Sequence, residues 1–277
     1  MAATVPFRHR RVLGEVALYL AAIVAASWIL IPVTVSLLYG FASPRDYYNR
    51  YKVIPTAFTL KHVYELLFVL DSLKAVFNSV VVALGTIALS FVLGLPAGYS
   101  LARFIFPGRD TLKLLIIITR MFPIMVIAVP LTALYIRIGL SDTLFGLMLA
   151  HTAMALPFVV LISSSIFAGI PLDYEEAAMI FGLNRLGSFL RITLPLSAPG
   201  LAATAMFTFI ISWNEVFVAS VLMLVNRTLP AHILTMVTYG CPDYYRFAAI
   251  FIMVLPAMLF VFIARKYLIT MWGITMR

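Results

Sequence analysis

The chain has 277 residues, of which 63% are hydrophobic and 11% charged, and its mean hydropathy is +1.05. Soluble domains have about a quarter of their residues charged, so the composition excludes a soluble globular protein and indicates an integral membrane protein. The net charge of +9 is scattered and forms no stripe, which favours loops facing anionic lipid over nucleic-acid binding. The single cysteine, Cys241, excludes an intramolecular disulfide and any multi-cysteine metal site.

Long apolar stretches predict the fold. A bilayer core about 30 Å thick needs roughly 20 apolar residues per helix, and six stretches qualify. We therefore expect an all-α polytopic protein, with residues 1–277 forming one transmembrane domain. The first stretch is too long for a signal-peptide core of about 7–15 residues, so we expect it to be retained. The six predicted spans are approximately Leu13 to Tyr39, Ala75 to Leu101, Leu114 to Ile136, Leu144 to Ile166, Gly200 to Leu224 and Phe247 to Ala264.

The polar interval from Gly40 to Lys74 is predicted to be the longest external segment. Its Tyr47 and Tyr48 could anchor the membrane interface or contact an external partner. In the second span, Gly94 and Gly98 form a G-x-x-x-G pattern, which permits close helix approach.

One polar interval in the second half has a recognisable helical pattern. It runs from Asp173 to Pro195 as DYEEAAMIFGLNRLGSFLRITLP. Asp173 and Glu176 have the spacing of a capping box, which predicts a helix start. Gly182 can adopt the left-handed conformation that ends a helix, and Asn184 can cap a second helix that Pro195 interrupts. The interval is therefore predicted to be a pair of short helices.

Seven positions of this interval resemble the EAA motif of ABC importer permeases: EAA, three residues, G, nine residues, I-x-L-P. The resemblance implies that residues 173–195 form a cytoplasmic coupling helix, which sits in a cleft of the ATPase subunit. The matching residues are Glu176, Ala177, Ala178, Gly182, Ile192, Leu194 and Pro195.

Weaker features resemble the smaller permease subunit of maltose-type carbohydrate importers. These are Met121-Phe122-Pro123, Ser212-Trp213-Asn214-Glu215 and Arg265-Lys266-Tyr267-Leu268. The resemblance implies a heterodimer with a second permease subunit, two ATPase subunits and an external solute-binding protein. It also implies that ATP and Mg²⁺ bind the ATPase and that this chain carries no cofactor. The ending from Trp272 to Arg277 departs from the usual Gly-rich tail, so the role of the tail stays open.

Charge distribution predicts the orientation of this multi-pass cell-membrane protein. Six spans place both termini and residues 173–195 on one side. Basic residues are moderately enriched on that side, which favours cytoplasmic termini together with the family resemblance.

No catalytic motif occurs in the chain. It lacks a G-x-x-x-x-G-K-[ST] phosphate loop, an H-E-x-x-H metal motif and a G-x-S-x-G nucleophile motif. We therefore expect no enzymatic activity and no metal site, with ATP hydrolysis on a separate subunit.

Polar residues within the spans are candidates for the solute pathway, because an unpaired charge at the bilayer centre costs at least about 2.5–3.5 kcal/mol. Trp213, Asn214 and Glu215 could line a path for a hydroxyl-rich solute, or Glu215 could join helices by a hydrogen bond. Arg120 could contact the solute, or it could reach a headgroup or a water-filled vestibule. A direct pair between Arg120 and Glu215 is not expected, since their depths in the spans differ. His151 is expected to be a packing residue, because nothing near it in the sequence supplies a second ligand.

Two alternatives to a sugar permease remain. One is a permease for another solute, such as a peptide or an anion, which a ring of like charges along the pathway would favour. The other is an ATP-independent secondary transporter, which predicts an inverted repeat with matching broken helices. The first half has no counterpart of residues 173–195.

Overall fold

The computed structural model describes the backbone of residues 7–49 and 54–271 and the side chains of residues 14–49 and 54–262. The regular structure in these residues is helical, apart from one isolated bridge between Ala42 and Phe58, and the all-α prediction is confirmed. The α-helices in the described residues are α1 (Phe7–Gly40), α2 (Pro44–Tyr47), α3 (Lys61–Tyr64), α4 (Ser72–Arg103), α5 (Arg109–Ile118), α6 (Ile124–Arg137), α7 (Leu144–Ala168), α8 (Asp173–Ile180), α9 (Arg185–Ser188), α10 (Leu194–Leu196), α11 (Ala198–Trp213), α12 (Phe217–Leu222), α13 (Leu229–Thr238) and α14 (Asp243–Met271).

Four described helical segments are long and apolar enough to cross a membrane: Gly14–Gly40, Ser72–Arg103, Leu144–Ala168 and Asp243–Phe262. Two further helix pairs qualify if each pair counts as one broken span. The first pair, Arg109–Met121 with Ile124–Arg137, is bent by 87°, and the second pair, Arg185–Leu196 with Ala198–Trp213, is bent by 78°. Counted in this way, the described chain has up to six candidate spans, which is the number that the sequence predicts.

The third predicted span is sharply bent, not continuous. The first part of it ends in a 3₁₀ turn at Thr119–Met121, and α6 starts at Ile124 after the extended residue Pro123. Proline has no N–H to continue the helical hydrogen bonds and restricts the residue before it to extended conformations. Pro123 therefore separates the two halves of this segment.

The fifth predicted span is wrong at its C-terminal end. Helix α11 stops at Trp213, and the short helix α12 begins at Phe217. The Glu215 carboxylate accepts hydrogen bonds from the backbone N–H groups of Val218 and Ala219, both at 2.9 Å. A side chain that accepts from the first N–H groups of a helix starts a new helix at that point, so Glu215 breaks the span.

The described residues form two compact units, one from those within 1–66 and 241–252 and the other from those within 67–240 and 253–277. The prediction of a single domain over residues 1–277 stays a prediction. The basic residues near the start, from Arg8 to Arg11, and the tail from Arg265 to Arg277 have side chains outside the described residues.

In the first unit, a buried carboxylate holds the segment between α1 and α3. Asp46 accepts hydrogen bonds from the backbone N–H groups of Thr56 and Ala57 at 2.7 and 2.8 Å, and from the Thr56 hydroxyl at 3.0 Å. Beside it, the ring of Tyr47 packs against Tyr39 at 5.8 Å and Tyr244 at 6.0 Å. Tyr47 is thus part of an aromatic cluster.

In the second unit, α4 and α7 pack at very short range. A Cβ atom on Gly94 would lie 2.7 Å from Val159 Cγ1, and one on Gly98 would collide with Ser163 Oγ and approach the Val160 carbonyl oxygen to 2.9 Å. The close approach predicted from the G-x-x-x-G pattern is confirmed, since both glycines face α7 where a larger side chain has no room.

The N-terminal end of α4 is held by the chain around α13. Ser79 Oγ accepts from the Leu229 N–H at 2.7 Å, and Asn78 Nδ2 donates to the Arg227 carbonyl at 3.1 Å. Residues 79 and 103 are separated along α4 by about 36 Å at 1.5 Å per residue. The start of α13 therefore contacts the N-terminal part of α4, far from the C-terminal end of α4 at Arg103.

Candidate functional site

Helix α8 carries the first part of the predicted coupling segment and starts where predicted, but it is not capped as predicted. The helix begins at Asp173, and its N-cap residue is Leu172, with no side-chain capping bond. The Leu172 carbonyl accepts from the N–H groups of both Glu175 and Glu176. The predicted capping box is wrong, because Asp173 is already inside the helix. Its carboxylate still lies at the positive end of the helix dipole, where negative charge is favourable.

The end of α8 is the one predicted. Gly182 has a φ of +93°, in the left-handed region. The Leu183 N–H donates to the Ala178 carbonyl at 3.1 Å, and the Gly182 N–H donates to the Met179 carbonyl at 3.0 Å. These two bonds form a Schellman motif, which ends a helix at a left-handed residue.

Asn184 starts the second helix, as predicted. Its side-chain oxygen accepts from the Gly187 N–H at 2.7 Å. Helix α9 continues through a π-helical turn, Phe189–Thr193, into α10. Pro195 does not interrupt the helix, because it lies in the first turn of α10, where a proline needs no N–H partner. The bend comes afterwards, between Leu196 and Ala198.

The segment is attached to α4 by a residue that the sequence reasoning did not single out. Glu175 is 3% exposed, and its carboxylate accepts hydrogen bonds from the Tyr99 hydroxyl at 2.6 Å, Arg103 Nε at 2.8 Å and the Thr193 hydroxyl at 2.8 Å. Arg103 Nη2 also lies 2.7 Å from Glu175 Oε1. We call Glu175, Tyr99, Arg103 and Thr193 the Glu175 clamp.

The clamp sets the charge state of Glu175. Burial on its own raises the pKa of this carboxyl group, but the hydrogen bonds from Tyr99, Thr193 and Arg103, with the charge of Arg103, outweigh burial and lower its pKa below the usual 4.5. Glu175 is therefore ionised at neutral pH, and the contact with Arg103 is an ion pair.

The opposite side of α8 is uncovered. Glu176 is exposed, and the side chains of Ile180 and Phe181 are 85% and 89% exposed. Two large apolar residues beside an exposed carboxylate make a surface that a partner can cover. The other motif residues differ in exposure: Ala177 and Pro195 are exposed, Ile192 and Leu194 are half-buried, and Ala178 is buried.

Two of the predicted pathway residues are adjacent in the chain but differ in environment. Trp213 is 1% exposed, its ring stacks on Phe209, and its Nε1–H donates to the Met253 carbonyl at 3.0 Å. Asn214 is exposed, and its side chain donates to the Ile210 carbonyl at 3.1 Å. In this conformation Trp213 packs between helices and Asn214 can meet water. Their assignment to the pathway stays a prediction.

Glu215 lies in a buried polar group with His151 and Ser212. His151 is fully buried, its Nδ1 is 2.8 Å from Ser212 Oγ, and its Nε2 is 3.5 Å from Glu215 Oε2. His151 is a buried packing residue, as expected, and its polar partners are supplied by the end of α11, which packs against α7. Glu215 is 8% exposed, so it joins helices in this conformation, and a role in the pathway stays a prediction.

Arg120 lines a cavity of about 590 Å³ in the second unit. Its guanidinium group lies 4.5 Å from the centre of the Phe158 ring, and its Nη1 donates to the Met154 carbonyl at 2.9 Å. It makes no described contact with Glu215, as expected. The cavity walls are mostly apolar, and its other lining residues include Tyr135 and Pro157. Arg120 thus reaches open space, and its role in the pathway stays a prediction.

In residues 14–49 and 54–262, no group of three or more His, Cys, Asp or Glu side chains is placed to hold a metal ion. That the chain uses no cofactor or metal stays a prediction.

Comparison with known families identifies the chain. Residues 90–270 match the family described as "Binding-protein-dependent transport system inner membrane component". The chain belongs to this family. It is therefore a multi-pass membrane permease, a transporter subunit that is not itself catalytic.

Two relatives and one solved structure are similar to this permease. It is 32% identical over 210 residues to an ABC transporter permease protein of Streptomyces antibioticus, covering 75% of this chain and 92% of the relative. It is 35% identical over 194 residues to a diacetylchitobiose uptake system permease protein of Streptomyces coelicolor, covering 67% of this chain and 63% of the relative. A chain in the crystal structure of a bacterial ABC transporter that imports the acidic polysaccharide alginate has a TM-score of 0.74 at 20% identity, with 96% of this chain and 100% of that chain covered. At this identity the structural match shows the fold.

Proposed function

We propose that this permease is the smaller membrane subunit of an ATP-driven importer for a sugar or oligosaccharide, and that it converts ATPase closure into alternating access. The support for a sugar is the similarity to a permease named for diacetylchitobiose uptake. ATP and Mg²⁺ bind a separate ATPase, because this chain has no phosphate loop.

Residues 173–195 dock the ATPase in this proposal. The observation that carries it is the two-sided character of α8: Glu175 is locked to α4, while Glu176, Ile180 and Phe181 are exposed. A fixed helix with an exposed apolar and acidic face suits a contact that must transmit displacement and not merely tether two chains. We infer that the ATPase covers this face.

A photo-crosslink tests the docking face. The photoreactive residue p-benzoylphenylalanine replaces Phe181 in one variant and Tyr239 in a matched control. Both side chains are more than 80% exposed. Tyr239 follows α13, which starts beside the N-terminal part of α4, away from the Glu175 clamp. After ultraviolet irradiation of the purified complex, we expect a permease–ATPase product from position 181 and none from position 239. A product from position 239 alone would contradict the proposal.

The remaining partners follow from the same assignment. The permease pairs with a different permease subunit, two ATPase subunits bind below the pair, and an external solute-binding protein delivers the solute. The end of α4 that carries the Glu175 clamp then faces the cytoplasm, together with both termini. Thiol labelling of Phe181→Cys in a Cys241→Ser background tests the orientation in sealed cells, since a membrane-impermeant reagent should label position 181 only after lysis.

A transport measurement tests the solute. The complex is reconstituted in liposomes with its binding protein, and uptake of labelled neutral oligosaccharides, uronate oligosaccharides and amino acids is compared with ATP and with a non-hydrolysable analogue. We expect ATP-dependent uptake of a saccharide. Uptake of an amino acid alone, or equal uptake with the analogue, would contradict the proposed function.

A further inference from the structure

The Glu175 clamp joins three parts of the chain at one carboxylate. Glu175 belongs to α8, Tyr99 and Arg103 lie in the last turns of α4, and Thr193 ends the π-helical turn after α9. The side chains of Arg103 and Glu175 are 5% and 3% exposed. The Glu175 carbonyl also accepts a hydrogen bond from Ser188 Oγ at 3.4 Å. Both the side chain and the backbone carbonyl of Glu175 are therefore held by hydrogen bonds.

An aromatic group lies directly beneath the clamp and extends the attachment to α7. The ring of Tyr99 lies 4.5 Å from the ring of Phe189 and 6.1 Å from the ring of Phe167 on α7. Phe167 is fully buried and Phe189 is 5% exposed. Such close-packed side chains deform little, so the clamp is in rigid contact with α7 as well as with α4.

The chemistry of the clamp suits a role in fixing the position of α8 better than a role in stabilising the fold. A buried ion pair adds little stability compared with apolar residues of the same size, because removing both charges from water is costly. It does fix geometry, since a carboxylate with several directed donors is satisfied in one arrangement only. Arg103 Nε and the Thr193 hydroxyl donate to one carboxylate oxygen, Oε1, and the Tyr99 hydroxyl donates to the other, Oε2.

We propose that Glu175 is a positioning residue: the Glu175–Arg103 ion pair is the joint through which movement of the coupling segment is transmitted to α4, and so to α7. This inference rests on the proposed function, in which α8 docks the ATPase. Glu176 contacts the ATPase, and Glu175, one residue earlier, holds α8 in place while that contact moves. Breaking the joint uncouples hydrolysis from import without removing the docking face.

The test measures solute imported per ATP hydrolysed in liposomes, together with ATPase co-purification. In Glu175→Ala and Arg103→Ala complexes we expect the ATPase to remain bound and import per ATP to fall at least tenfold. The double variant should lose no more than either single variant, because both act through one contact. Asp110→Asn, which neutralises an exposed carboxylate near the same end of α4, is the matched control and should keep the wild-type ratio.

Three results would overturn the proposal. One is a wild-type ratio in Glu175→Ala, and another is multiplied losses in the double variant, which would mean independent effects. The third is loss of ATPase binding together with a normal ratio in the remaining complexes, which a purely structural role predicts. If the alanine variants do not reach the membrane, the import per ATP of Glu175→Gln and Tyr99→Phe tests the proposal instead. A fall in this ratio supports the proposal, and a wild-type ratio overturns it. Failure of the proposed function is distinguishable, because the wild-type permease would then retain no ATPase.

Discussion

Glu175 and Glu176 are adjacent in the chain, yet Glu175 is buried against Arg103 of α4 and Glu176 is exposed on a different face of α8. Successive residues of an α-helix point about 100° apart, so two neighbouring carboxylates can serve different surfaces. One fixes the helix to its own chain, and the other is available to a partner. The two successive glutamates therefore have different surroundings.

The ion pair should make stability depend on pH in the acidic range. Because the clamp lowers the pKa of Glu175 below 4.5, its stabilisation is fully present above about pH 4.5 and is lost as the pH falls through the lowered value. We expect the melting temperature of the wild type in detergent to exceed that of Glu175→Gln at pH 7. The difference should shrink as the pH falls below 4.5. A difference that stays constant down to pH 3 would contradict this account.

The sequence was sufficient to predict most local features. The helical class, the left-handed Gly182, the Asn184 cap and the close approach at Gly98 depend on residues near one another in the chain or on one glycine pattern. These features have local physical causes, so one sequence reveals them. The capping box was wrong because Leu172 extended the helix start by one residue, a boundary that propensities do not fix.

The features that sequence reasoning missed depend on distant residues. Arg103 and Glu175 are separated by the whole of α5 to α7, and His151 and Glu215 by the coupling segment and α11. No spacing rule connects such residues, so neither pair was predicted. A usable signal was the Glu175-Glu176 doublet, since one member of it has to face the chain. The break at Glu215 was missed because the stretches on both sides, residues 200–211 and 216–224, are mostly apolar and suit a continuous span.

The α4–α7 contact allows a graded test of packing. Gly98→Ala places a methyl group against the Val160 backbone and the Ser163 side chain, whereas Gly85→Ala meets only the flexible side chain of Met148. Overpacking typically costs about 1–3 kcal/mol, and Met148 can adjust its rotamer. We expect Gly98→Ala to lower the melting temperature by several degrees and Gly85→Ala to lower it less. The reverse order would show that α4 and α7 do not pack in this way.

Thiol labelling distinguishes the environments of Asn214 and Glu215. In a Cys241→Ser background, we expect Asn214→Cys to react quickly with a small water-soluble thiol reagent, because Asn214 is exposed. Glu215→Cys should react more slowly in the resting state, since Glu215 is 8% exposed and caps α12. If the pathway prediction holds, labelling of position 215 should rise when ATP and solute are cycled. Protection of both positions in every state would exclude them from the pathway.

Two substitutions in the coupling segment act by different physical means. Glu176→Lys reverses the charge of an exposed docking residue and leaves α8 intact. Gly182→Val forces a β-branched residue into left-handed geometry at a cost of at least about 1–2 kcal/mol, although nothing lies within 4 Å of the added Cβ. Gly182→Asn is the control, because asparagine tolerates this conformation.

The most direct measurement is co-purification of the ATPase with these variants, together with solute-stimulated ATP hydrolysis in liposomes. We predict that Glu176→Lys and Gly182→Val insert normally in the membrane, since neither touches an apolar face of a span, and that both lose ATPase binding and stimulation. Gly182→Asn should retain both. If Glu176→Lys and Gly182→Val bind the ATPase and are stimulated like the wild type, residues 173–195 are an ordinary loop and the central claim is wrong.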